Sequence, residues 1–257
     1  MATQPSSREK LLELVGGSQT PSPDEFKQLC TTIESHQVLA KVFLLEGVPY
    51  VFEKSPMKYV IFREQVAERF GVGSQDVCIV GSAKLGYSPS PYKFGTLFSE
   101  QSDVDVVVIS ELLFYRGSRE LFVVLNTFGP QLHEVRGTSK EGKVKPGRTP
   151  PVVSLDDWKN VKEAIRNFVY ENFNPGILPQ DHGLRREIFG KISSTAGLFL
   201  ALEPKVFVSR IRCRIFRNWK AAEDYYANSL REARNYFIGK GTVEPELQDS
   251  EELEEDT

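Results

Sequence analysis

The sequence predicts an α/β fold (α+β in its arrangement): a small mixed sheet, flanked by helices on its N-terminal side and by a mostly helical C-terminal part. Three observations predict it. Two short β-branched runs, DVCIV over Asp76–Val80 and DVDVVVIS over Asp103–Ser110, are bounded by glycine or polar residues and read as buried strands. Elsewhere apolar residues recur at helical spacing. The composition, 40% hydrophobic and 26% charged over 257 residues, is that of a globular chain long enough to bury a sizeable core.

Taken in order, Arg8–Val15 begins a short helix that Gly16-Gly17 and Pro21-Ser22-Pro23 break. Ser22 or Asp24 can cap a helix over Pro23–His36, where Phe26, Leu29, Cys30 and Ile33 share a face. A second helix over Met57–Phe70 repeats the pattern with Val60, Ile61 and Val66, and Gly71 stops it. The strand Asp76–Val80 then ends in Gly81-Ser82, and a loop rich in Gly, Ser, Pro and Tyr leads to the strand Asp103–Ser110. A helix over Glu111–Phe128 follows it, and RGTSKEGKVKPGRTPP reads as a basic loop or boundary. Beyond it helices are expected over Leu155–Glu171, Leu184–Leu202 and Asn218–Phe237, with one strand-like run, Lys205–Phe216, between the last two. This gives an N-terminal helical segment over 1–47, a core over 48–150, a helical part with one strand over 151–240, and a tail over 241–257.

Charge and cysteine usage narrow the function classes. The formal net charge of -3 argues against coating nucleic acid with the whole surface. Eight of the acids fall in EPELQDSEELEEDT, Glu244–Thr257, which has too few apolar groups to offset the entropy of ordering and reads as a solvated tail. Without them, 32 basic and 27 acidic residues leave a net charge of +5, suited to an anionic ligand. Cys30, Cys78 and Cys213 are far apart in sequence and form neither a disulfide framework nor a zinc-binding pair. No apolar run approaches the roughly 18 residues of a membrane span and MATQPSSREK lacks a signal-peptide core, so a cytoplasmic protein without membrane contact is expected.

The chemistry lies around the two strands. Residues two apart on a strand project from one face, so Asp103 and Asp105 present adjacent carboxylates while Val104 and Val106–Val108 pack the core. Such a pair is either a strand end with both acids solvated or a site for Mg²⁺, or Mn²⁺, a hard cation completed by water and phosphate oxygens. Upstream, Gly81 lets a backbone amide approach a phosphate, Ser82 can donate to it, and a helix N-terminus after the turn favours the same anion. Lys84 either adds positive charge there or is a surface lysine. On Lys205–Phe216, alternation places Arg210, Arg212 and Arg214 on one face, where forked donors suit a triphosphate or a nucleic-acid backbone, or simply water.

The run CIVGSAKLGYSPSPYKFGTLFSEQSDVDVVVIS resembles the signature of the nucleotidyltransferase superfamily related to DNA polymerase β, a strand, a Gly-Ser turn and a second strand carrying Asp-x-Asp. The wording GSAKLG with SDVDVVV is similar to nucleotidyltransferase-like proteins of bacterial anti-phage defence systems. The resemblance implies a polymerase β-like core, divalent metal on Asp103 and Asp105, and a triphosphate at Gly81-Ser82; Lys84, Arg212 and Arg214 join as candidate nucleotide contacts on their own charge and placement. It implies transfer of a nucleoside monophosphate from an NTP or dNTP to a hydroxyl, giving a nucleotide or oligonucleotide signal or modifying a nucleic-acid or protein acceptor. A second copy of the chain or an operon-encoded effector is the expected protein partner. No side-chain nucleophile is needed, in keeping with the lack of GxSxG, HExxH or a P-loop and with only three histidines, His36, His133 and His182.

One departure stands out. The superfamily supplies a third acid from a neighbouring strand, and Lys205–Phe216 has no carboxylate, which leaves Glu134 and Glu203 as candidates. Two alternatives follow: a catalytically inactive relative that senses nucleotide or nucleic acid, and an interaction module whose acidic tail recruits a basic partner. Trp219, Tyr225, Tyr226, Tyr236 and Phe237 on the last helix serve either core packing or base stacking.

Overall fold

The two runs read as strands pair with each other. In the structure, a computed structural model describing residues 20–136, 163–203 and 210–239 without the side chains of 125–136, β1 (Val77–Val80) lies antiparallel to β2 (Val104–Ile109). β2 runs parallel to β4 (Ile211–Phe216), and β4 antiparallel to β3 (Asn172–Phe173). The order β1-β2-β4-β3 makes a mixed four-stranded sheet. The expected helix over Arg8–Val15, the basic loop with Lys140, Lys143, Lys145 and Arg148, and the tail from Glu244 lie outside the described residues.

Val104 and Val106–Val108 pack the core as expected, and the pleat divides them between two sides. Val104, Val106 and Val108 enter one cluster with Ile79, Ile211 and Ile215, whereas Val107 and Ile109, on the side of the acids, enter another with Cys78, Val80 and Phe216. Both faces of β2 are covered, which is why its sequence turns from alternating to continuously apolar.

Helices cover both faces. Ser22 caps α1 (Pro23–Thr32) in a capping box with Glu25, its hydroxyl taking the Glu25 N–H while the Glu25 carboxylate accepts the Ser22 N–H at 2.7 Å. α1 stops short of the expected His36, because Ile33 is extended; the chain restarts as α2 (His36–Leu39) and runs into a π-type turn, Ala40–Leu45. α3 (Pro56–Phe70) ends on Gly71, whose φ of +71° closes the last turn as expected of glycine there. α4 (Ser82–Leu85) is a single turn, and α5 (Glu111–Arg136) is longer than expected. α6 (163–169) lies inside the run expected as a helix, and α7 (Gly183–Leu202) and α8 (Trp219–Phe237) match their periodicity. Of the expected strand Lys205–Phe216, residues 210–216 are described, and Ile211–Phe216 form β4.

On one face α3 and α7 meet over the sheet through Phe62 and Phe199, joined by Phe52 from a 3₁₀ turn. Their rings lie 5.3 to 5.8 Å apart between centroids, in tilted or edge-to-face contact. On the other face α8 lays Ala221, Ala222, Tyr225 and Tyr226 against Val80, Val107 and Phe216. α1 and α2 pack in turn on α8, with Leu85 and Tyr87 from the segment after β1 joining that cluster. Thus the last helix ties the N-terminal helices to the loop that follows the Gly-Ser turn. Among the described residues no helix is long and apolar enough to cross a membrane.

Candidate active site

The site begins where β1 ends. Val80 stands opposite Asp105 in the antiparallel register, so the residue after it must turn beside a carboxylate. Gly81 does so at φ +68° and ψ -146°, a conformation open essentially to glycine. The approach is close as well: a Cβ built on Gly81 would stand 2.7 Å from Asp105 Oδ2. Ser82 begins α4 directly after, partly exposed. Since α4 has four residues, the helix-terminus contribution expected there falls away. The turn and the second acid are therefore neighbours in space, as their motif spacing requires.

The parallel pairing of β2 with β4 adds what lies opposite the acids. Arg212 is the register partner of Asp105, and Arg214 that of Val107, so arginines and acids occupy one face. Asp103 is held from two sides, its Oδ1 accepting from Arg210 Nε at 3.2 Å and its Oδ2 lying 3.0 Å from an Arg212 terminal nitrogen. Asp103 and Arg212 are half-buried, with side-chain exposures of 20% and 27%, and Arg210 is exposed at 44%. Arg214 donates to Asn172 Oδ1 at 3.3 Å, and its guanidinium stacks 4.9 Å from the Tyr225 ring centre. Tyr226 closes the face from α8. Burial, with lesser contributions from Tyr225 and the Asp105 charge, pushes its phenol well above the ordinary range and keeps it neutral.

Lys84 requires revision as a phosphate contact. It is buried, and its ammonium donates to the Glu46 carbonyl, close to Gly47. Burial lowers its pKa to about 8, offset in part by Cys78 and Glu46. The lysine fastens α4 to the chain before the first 3₁₀ turn.

The other candidates are dispersed. Glu203 pairs with Lys58 at 3.1 Å, and the side chains of Glu134 and His133 lie outside the described residues. His182 caps α7 by accepting the Leu184 N–H, and His36 is buried beside α1. Trp219 donates to Asp76, Tyr225 meets Phe216, and Phe237 meets Phe94, so these aromatics serve packing. A cavity of about 520 Å³ opens at the other end of β1, lined by Val77, Cys78 and Trp219; none of the paired acids and arginines borders it.

Two carboxylates on one strand face, beside a turn with no side chain in the way, suit Mg²⁺ or Mn²⁺, which take one or two protein carboxylates and leave the remaining positions to water and phosphate. Among the described residues no group of three or more His, Cys, Asp or Glu side chains converges, so the expected third acid is not supplied there. The residue that sequence reasoning underweighted is Arg210. Its signal was the period-two match between Arg210, Arg212 and the two acids, which acquires meaning only once β4 is known to lie beside β2. In comparison with known proteins, the chain matches no family model, no curated protein and no solved structure.

Proposed function

We propose that this chain is a metal-dependent nucleotidyltransferase with a polymerase β-like core, moving a nucleoside monophosphate from an NTP or dNTP to a hydroxyl acceptor. The observation that carries the proposal is the seating of the Gly81 turn against Asp105. A polyphosphate laid along the bare turn lies beside the carboxylates that hold the cation, and Arg212 faces it from β4. Mg²⁺ or Mn²⁺ on Asp103 and Asp105 supplies activation of the attacking hydroxyl and neutralisation of the leaving oxygens. The acceptor oxygen forms a bond to the α-phosphorus, the bond to the β-phosphate oxygen breaks, pyrophosphate leaves, and the hydroxyl proton passes to water. By its resemblance the product is a nucleotide or short oligonucleotide signal in anti-phage defence. Incubation with labelled NTPs and dNTPs and Mg²⁺, with products resolved by chromatography, should yield pyrophosphate and a new nucleotide product that Asp105→Asn abolishes. Label on the protein itself would refute signal synthesis, and turnover that survives Asp103→Asn with Asp105→Asn would refute the site.

A second reading, nucleotide binding without turnover, is favoured by the two arginines on Asp103 and by the lack of a converging third acid among the described residues. Calorimetry with a non-hydrolysable triphosphate and Mg²⁺ that shows binding, beside an assay that shows no product, selects it.

A further inference from the structure

We infer that Arg210 and Arg212 are shared between Asp103 and the phosphates of the ligand, so that arrival of a polyphosphate releases Asp103 for the metal; this rests on the proposed nucleotide site. Both guanidiniums, one on β4 and one just before it, point at one carboxylate at the start of the neighbouring strand, one at each oxygen. Arg214, further along the same strand face, donates to Asn172 and stacks on Tyr225. A carboxylate whose two oxygens each face a guanidinium is a poor ligand for a dication, because the cation would enter beside two positive charges. Triphosphate reverses this. It offers the guanidiniums a more highly charged, bidentate partner, and the carboxylate charge they leave then faces the incoming cation. Anion and metal therefore bind with positive coupling, and by linkage each strengthens the other.

The consequence is non-additive. Neutralising Asp103 relieves its repulsion of metal-free triphosphate whether or not the arginines are shared, by the same factor in wild type and in an Arg210→Met, Arg212→Met background. If it competes for the arginines, the strengthening should be larger in wild type than in that background. Ion pairs this exposed are worth up to about 1 kcal/mol each, so the excess is about three- to ten-fold. The test titrates full-length protein with a non-hydrolysable triphosphate in EDTA. Asp103→Asn is expected to strengthen binding about three- to ten-fold more in wild type than in the Arg210→Met, Arg212→Met background, and that double arginine variant alone to bind more weakly than wild type. In parallel, Mn²⁺ titrated without nucleotide and followed by electron paramagnetic resonance should bind the double arginine variant more tightly than wild type. A gain from Asp103→Asn no larger in wild type than in that background, or no gain in Mn²⁺ affinity, overturns the sharing; if wild type still binds triphosphate with Mg²⁺, the nucleotide site itself survives. Failure of every variant to bind triphosphate, with and without Mg²⁺, overturns both.

Discussion

Replacing Gly81 by alanine tests the turn and the acid together. The new Cβ would stand 2.7 Å from Asp105 Oδ2, well inside van der Waals contact, and the backbone at φ +68° and ψ -146° is one that residues with a Cβ rarely adopt. The backbone contribution is about 1–3 kcal/mol. Displacement of the Asp105 carboxylate adds about 1 kcal/mol, the usual size of coupling between residues in contact. At about 2–4 °C per kcal/mol for a chain of this size, the melting temperature by circular dichroism should fall by roughly 4–16 °C. Triphosphate affinity should fall with it, because the turn can hold an alanine only by moving away from the strand. A double-mutant cycle separates the two contributions. In an Asp105→Ala background the alanine at 81 should cost about 1 kcal/mol less, the backbone part remaining. An unchanged melting temperature for Gly81→Ala, or an identical penalty in both backgrounds, would show that the turn is not seated on the acid.

Further outcomes follow from the buried titratable groups. Lys84, lowered to about 8 in the fold against an ordinary value of 10.5, loses its proton more readily folded than unfolded. Between those values the unfolded chain binds the extra proton, so this group makes stability rise with pH from about 8 to about 10.5, by up to roughly 3 kcal/mol. Denaturant titrations of wild type and Lys84→Met across that window should therefore diverge as pH rises, and parallel curves would refute the buried amine. The difference between the two proteins is the quantity to follow, because Cys30, Cys78 and Cys213, pushed up to about 12 by burial, act in the opposite direction. Those thiols should resist a disulfide reagent at pH 8 in the native protein and react, all three, in guanidinium; rapid native reaction would contradict their burial.

Much of the candidate site was legible because its signals are local. A glycine that must turn beside a strand, and two acids spaced to share a strand face, are read from period two alone. Lys84 was misread for an equally physical reason: proximity in sequence placed it by the turn, whereas the one-turn helix aims its ammonium at Glu46, 38 residues earlier, a contact that no local pattern encodes. β3 escaped notice because two residues carry no periodicity. The expected end of α1 overran the helix because Phe26, Leu29, Cys30 and Ile33 keep helical spacing up to Ile33, the residue at which the backbone extends.

By itself the chain's order of residues determined which segments become strands and helices, since alternation, capping and glycine stops act over a few neighbours. It also determined that Asp103 and Asp105 would stand on one side of a strand. Tertiary structure alone decided that β4 lies parallel to β2, which puts Arg212 across from Asp105 and brings Arg210 and Arg212 to Asp103 over more than a hundred residues of sequence. Strand neighbours are chosen by the burial of whole faces under α3, α7 and α8, a sum over distant residues that no short window of sequence contains.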